Sequence, residues 1–152
     1  MKIVLSRVDE RLIHGQIIAE WITRVEPTHL TIIDEELVRD PFMANIYKAL
    51  TPLWLDVQTY SPAEACSFLR DNEKEDWRMF LLARSPQSFE QLIRSGYHIS
   101  EIVLADKKYL PNKRNLPAEC KRSVNWLLEQ GTCVTVQEFH ADKPCVLTPY
   151  PV

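Results

Sequence analysis

Only three glycines occur in 152 residues, and their scarcity excludes a great deal. Neither GxGxxG nor GxxxxGK[ST] can be written through Gly15, Gly96 and Gly131. A nucleotide-binding Rossmann protein and a P-loop protein are therefore disfavoured. No apolar run approaches the roughly 18 to 20 residues that span a bilayer, and Ile3-Val4-Leu5 is too short for the apolar part of a signal peptide. The protein is expected in the cytoplasm, without membrane insertion. Cys66, Cys120, Cys133 and Cys145 are too widely spaced for a CxxC redox or zinc motif and read as small buried hydrophobes. A large excess of charge is also missing. With net charge −3 and pI ≈ 5.8, nothing draws the chain as a whole to nucleic acid or an anionic membrane.

What is present is ordinary globular composition, 45% hydrophobic and 26% charged, at a length that predicts one domain over residues 1–152. Gly96 and Gly131 each follow a helical run and precede a strand-like one, as glycines just past a helix end do. Asp40-Pro41, Ser61-Pro62 and Ser85-Pro86 put a capping side chain before a proline at the first helical position. Helices are predicted at about 41–50, 62–71, 86–95 and 117–130. Strands are predicted at 2–6, 28–33, 53–58, 78–83, 99–104 and 132–138, and residues 142–152, with three prolines, read as an extended tail. Strand alternates with helix throughout, which predicts an α/β fold: an open, mostly parallel sheet with helices on both faces.

The first strand-to-helix junction holds the candidate site. Residues 7–16 are expected as a loop before a helix whose apolar positions 17, 18, 21 and 22 follow the helical period. The loop carries Arg7, Asp9, Glu10, Arg11 and His14, and Gly15 follows the histidine directly. Open α/β sheets place their chemistry at such junctions. An imidazole, with an ordinary pKa of about 6.5, offers a nucleophilic nitrogen at neutral pH. Phosphoryl transfer asks mainly for in-line positioning and charge compensation. Arg11 can act as a bidentate clamp, the backbone N–H groups of Gly15, Gln16 and Ile17 as an anion cradle, and Asp9 as a partner for the second imidazole nitrogen. Plainer readings stand beside these. Arg11 could be a surface ion-pair partner of Asp9 or Glu35, and a strand-end salt bridge would account for Arg7 and Asp9. His29, His98 and His140 read as structural and remote from the loop, and Trp21 as core. Lys107, Lys108, Lys113, Arg114, Lys121 and Arg122 form a basic run, a solvated face or a dock for an acidic partner. No metal or cofactor is implied.

Arg7-Val8-Asp9-Glu10-Arg11-Leu12-Ile13-His14-Gly15-Gln16, followed by Trp21, closely resembles the R-[IV]-D-[DE]-R-L-I-H-G-Q-x-x-x-x-W signature of the enzyme IIB component of the mannose/fructose/sorbose class of the bacterial phosphoenolpyruvate-dependent sugar phosphotransferase system. Weaker echoes follow in Asp34-Glu35-Glu36 with Asp40, in Arg84-Ser85-Pro86 and in Ser95-Gly96. The resemblance implies the sorbose/mannose IIB fold and a phosphocarrier. In that role His14 takes a phosphoryl group from a IIA component and passes it to a sugar bound by the membrane IIC/IID permease; a homo-oligomer is compatible with it. One stretch departs from the family. Its glycine-rich N-V-G-[GN]-M turn after the fifth strand is replaced by Ala105-Asp106-Lys107-Lys108, with Asp106 expected to point to solvent beside its two lysines. That departure keeps a second reading open, a degenerate, non-catalytic regulatory or phosphate-binding paralogue.

Overall fold

The computed structural model describes residues 1–113 and 115–151; Arg114 of the basic run and Val152 of the tail lie outside the described residues. Its elements in chain order are β1 (Lys2–Val8), α1, β2 (His29–Ile33), α2 (Pro41–Ala49), β3 (Asp56–Tyr60), α3 (Pro62–Asp71), β4 (Arg78–Ala83), α4 (Pro86–Arg94), β5 (Glu101–Leu104), α5 (Ala118–Glu129), β6 (Cys133–Val136) and β7 (Cys145–Val146). Helix α1 is π-helical over Ile17–Ile22 and closes with an α-helical turn at Thr23–Val25. The seven strands form one sheet in the order β3-β2-β4-β1-β5-β6-β7. All pairings are parallel except the last, where β7 runs antiparallel to β6. This is the expected α/β architecture.

Alternation along β4 shows how the sheet is covered. Met79, Leu81 and Ala83 face a core shared with α3, α4 and α5. Phe80 and Leu82, pointing the other way, face a core shared with α1 and, at its edge, α2. Caps and stops follow the sequence closely. The Asp40 side chain accepts from Met43 N–H at 3.2 Å, and Ser61 and Glu64 exchange hydrogen bonds as a capping box. Gly96 and Gly131 follow the ends of α4 and α5 with φ +111° and +86°, where a side chain would strain the backbone. Ser85 opens α4 without a side-chain cap.

Several boundaries differ from the sequence reading. β1 continues through Arg7 and Val8, because both pair with β4 on one side and β5 on the other; the loop begins only at Asp9. The third strand starts at Asp56, and Leu53 and Trp54, apolar enough to suggest strand, are exposed. Within the tail, β7 extends the sheet, and Leu147 and Tyr150 are buried in the main core. Cys66 and Cys120 are buried, while Cys133 and Cys145 are only half-buried.

With β1 at the centre, the connections after β1 and β2 cover one face, while those through α3, α4 and α5 cover the other. The carboxyl ends of β1 and β5 therefore flank a switch point, the position where open α/β sheets form crevices.

Candidate functional site

A shallow cavity opens at that switch point, lined by Asp9, Glu10 and Arg11 after β1, Ala105 and Asp106 after β5, and Glu138 after β6. The β1 loop turns sharply to get there. Leu12 adopts φ 54° although it is a fully buried leucine, a conformation that costs a branched side chain on the order of 1 kcal/mol. Packing in the α1-side core holds it. The reversal brings the two ends of the loop together, so His14 Nε2 lies 2.9 Å from Asp9 Oδ2.

Asp9 is the hub. One oxygen accepts from the Arg11 backbone N–H at 3.0 Å and from Arg11 Nε at 3.1 Å. The other accepts from Arg11 Nη2 at 3.1 Å and from His14. Burial pushes the Asp9 carboxyl up, but the Arg11 side chain and backbone and the His14 ring outweigh it and hold the group below its ordinary range. An ionised carboxylate only accepts, so His14 Nε2 is the donor in this contact, and in the neutral ring the lone pair is then on Nδ1. Asp9 thus lies against one imidazole nitrogen. Arg11 is half-exposed and paired with Asp9; the same hydrogen bonds raise its own pKa.

Gln16 contributes through its side chain. Its Oε1 accepts from Arg11 Nη2 at 3.2 Å and its Nε2 donates to the Glu138 carbonyl at 2.9 Å. A Cβ at Gly15 would meet nothing within 4 Å, so the backbone beside His14 is open to a ligand. Ile17 begins the π-helical segment, its side chain fully buried. Arg7 forms no salt bridge with Asp9; its Nη1 and Nη2 donate to the Gln137 and Glu138 carbonyls at 2.8 and 2.7 Å.

The segment after β6 is the part of the site that sequence reasoning missed. Gln137, Glu138 and His140 come from a region with no signature, and only the fold brings them to the β1 loop. His140 is not remote. Its N–H donates to Glu20, and its ring packs on Trp21 with centroids 5.8 Å apart. Trp21 itself is core, 4% exposed. His29 sits at the opposite end of its strand, stacked on Trp77.

The departure at residues 105–108 resolves into a 3₁₀ turn, Lys107–Tyr109. Asp106 caps it, accepting from Lys108 N–H at 2.8 Å. The lysines do not neutralise Asp106 as anticipated: Lys108 pairs with Glu10, and Lys107 lies 3.8 Å from Glu138. Asp106 is occupied by its own turn. For the phosphocarrier that the sequence resemblance implies, Asp106→Gly is therefore expected to leave phosphoryl transfer within about twofold of wild type and to cost only a few tenths of a kcal/mol, the usual loss for a glycine at a capping position. Transfer kinetics and a thermal melt check this. A clear acceleration that shrinks with added salt would instead show the carboxylate repelling the phosphoryl group.

Deep to the other end of the sheet's carboxyl edge, Asp34 caps the turn after β2 through Glu36 and Leu37 N–H and holds Arg84 Nε at 3.0 Å. Among the described residues no cluster of histidine, cysteine, aspartate or glutamate has the arrangement of a metal site. No helix among them is long and apolar enough to cross a membrane.

An aspartate-held histidine thus stands at the central switch point of an open, doubly wound α/β sheet. A family model described as PTS system sorbose subfamily IIB component matches residues 3–148. The chain belongs to this family of the sugar phosphotransferase system, whose members are phosphocarriers. It is 24% identical over 116 residues to the sorbose-specific EIIB component of Klebsiella pneumoniae, covering 76% of this chain and 71% of that one. It is also 24% identical over 113 residues to the mannose-specific EIIAB component of Escherichia coli K12, covering 74% of this chain and 35% of that longer protein. The crystal structure of the IIBSor domain of the Klebsiella pneumoniae sorbose permease superposes with a TM-score of 0.84 at 21% identity, over 95% of this chain and 92% of that one. The IIB component 1 of the N-acetylgalactosamine system of Escherichia coli gives 0.83 at 16% identity, over 97% and 100%.

Proposed function

We propose that this protein is a cytoplasmic phosphocarrier in which His14 Nδ1 accepts a phosphoryl group from a IIA component and delivers it to a sugar held by a membrane IIC/IID permease. The observation that carries the reading is the 2.9 Å contact between His14 Nε2 and Asp9 Oδ2, which leaves the lone pair on Nδ1. Attack of that lone pair on phosphorus forms the new N–P bond as the bond to the donor's histidine breaks. No proton need leave the ring. The positive charge that the imidazole acquires is met by the Asp9 carboxylate, and Nε2 keeps its hydrogen.

Arg11 is the charge clamp. Its Nε and Nη2 are held by Asp9 and Gln16, so the guanidinium is already ordered beside the loop, and Nη1 is left to grip a phosphoryl oxygen. The backbone N–H groups of Gly15, Gln16 and Ile17 complete the anion cradle. Metal and nucleotide have no part in this scheme. Asp106, engaged with the Lys108 backbone N–H, gives no support to a non-catalytic paralogue.

Nitrogen NMR of the protein with ¹⁵N-labelled histidine tests the assignment. The unphosphorylated protein should show His14 as the Nε2–H form, and the phosphorylated protein should show phosphorus coupling to Nδ1. Coupling to Nε2 would mean that Asp9 does not set the tautomer.

A further inference from the structure

Arg7 is fully buried and is among the bulkiest side chains in the interior. A guanidinium withdrawn from water is costly unless its charge and donors are met. Here two of its three nitrogens are met, while Nε is buried without a partner among the described residues. Nη1 and Nη2 donate to the carbonyls of two successive residues, Gln137 at 2.8 Å and Glu138 at 2.7 Å, and the guanidinium carbon lies 4.2 Å from the centre of the Trp21 ring. Burial draws its pKa down to about 10, so it remains a cation at neutral pH. An apolar residue could fill the same volume; only a planar fork can hold both carbonyls at once.

The carbonyls matter because of what else they hold. Glu138 O also accepts from Gln16 Nε2 at 2.9 Å, and Gln16 Oε1 accepts from Arg11 Nη2 at 3.2 Å. Glu138 forms one wall of the cavity beside Asp9 and Arg11. Arg7 and Arg11 never touch, yet they are joined through one carbonyl and one glutamine.

We propose that Arg7 is a positioning residue for the phosphoryl clamp: its grip on the Gln137 and Glu138 carbonyls fixes the wall from which Gln16 orients Arg11 beside His14. The inference rests on the roles given above to His14 and Arg11. It predicts a specific dependence. Loosening Arg7 or removing the Gln16 amide should matter only while there is an Arg11 guanidinium to orient.

The test measures the rate at which His14 is phosphorylated by phosphoramidate, a donor that needs no protein partner. Arg7→Lys and Gln16→Ala should each slow labelling by about three- to tenfold in the presence of Arg11, and by less than about twofold when combined with Arg11→Ala, the non-additivity of residues acting through one group. Equal slowing in both backgrounds would mean that Arg7 serves the fold alone and would overturn the proposal, as would no slowing in either. Should Arg7→Lys fail to fold, Gln16→Ala, a change at a part-exposed side chain, decides the matter by the same comparison. A wild-type protein that takes no label on His14 would remove the phosphocarrier reading itself, a failure distinct from unaltered labelling of the two variants.

Discussion

His14→Ala is expected to abolish phosphorylation of this protein by a phosphorylated IIA component while leaving its fold intact. The wild type should gain one phosphoryl group per chain, acid-labile and base-stable as a phosphohistidine is, and the variant none. The effect should be total because no other nucleophilic side chain lines the cavity, whose walls are carboxylates, Arg11 and Ala105. His140, the other imidazole in this part of the molecule, is packed on Trp21, and Cys66 and Cys120 are buried in the opposite core. Stability should change little, since the ring's one polar contact in the loop is with Asp9, which keeps its bonds to Arg11. Label persisting in the variant, or moving to a cysteine, would refute the assignment.

Arg11→Ala should slow transfer by roughly 100-fold, the order of effect seen when a preorganised donor to a developing anion is removed. Arg11→Lys should recover little of it, because an ammonium cannot hold Asp9 at two points and still present a donor to the phosphoryl group. The competing reading, a surface ion pair, makes the opposite forecast. A pair in which Arg11 is half-exposed is worth at most about 1 kcal/mol, so on that reading stability falls slightly and kinetics stay put. Rates of transfer from IIA and melting temperatures of the three proteins, measured together, separate the two. Unchanged kinetics with lost stability would return Arg11 to a purely structural role.

The parts of this molecule that were legible in its sequence are those fixed by neighbours along the chain. Proline after Asp40, Ser61 and Ser85 marks the starts of α2, α3 and α4, although only the first two side chains cap; glycine marks where α4 and α5 stop, and Asp9, Arg11 and His14 sit close enough in sequence for their convergence to be foreseen. The illegible parts depend on distant residues. Arg7 was ambiguous because its partners are the carbonyls of Gln137 and Glu138, 130 and 131 residues away. Gln16 offered its backbone to the reading, but the fold also enlists its side chain. Leu53 and Trp54 look like strand because an exposed apolar pair and a buried one are identical in sequence. Lys107 and Lys108 find Glu138 and Glu10, partners that only the adjacency of β1, β5 and β6 supplies.

The most direct test of the central claim is a chase. Protein carrying a radioactive phosphoryl group on His14, freed of its donor, is mixed with membranes bearing mannose-class IIC/IID components and a panel of sugars: sorbose, fructose, mannose and N-acetylgalactosamine. A phosphocarrier should lose its label to one of them as a sugar phosphate, and only when the membranes are present. Label that stays on the protein, or leaves solely as inorganic phosphate, would contradict the account.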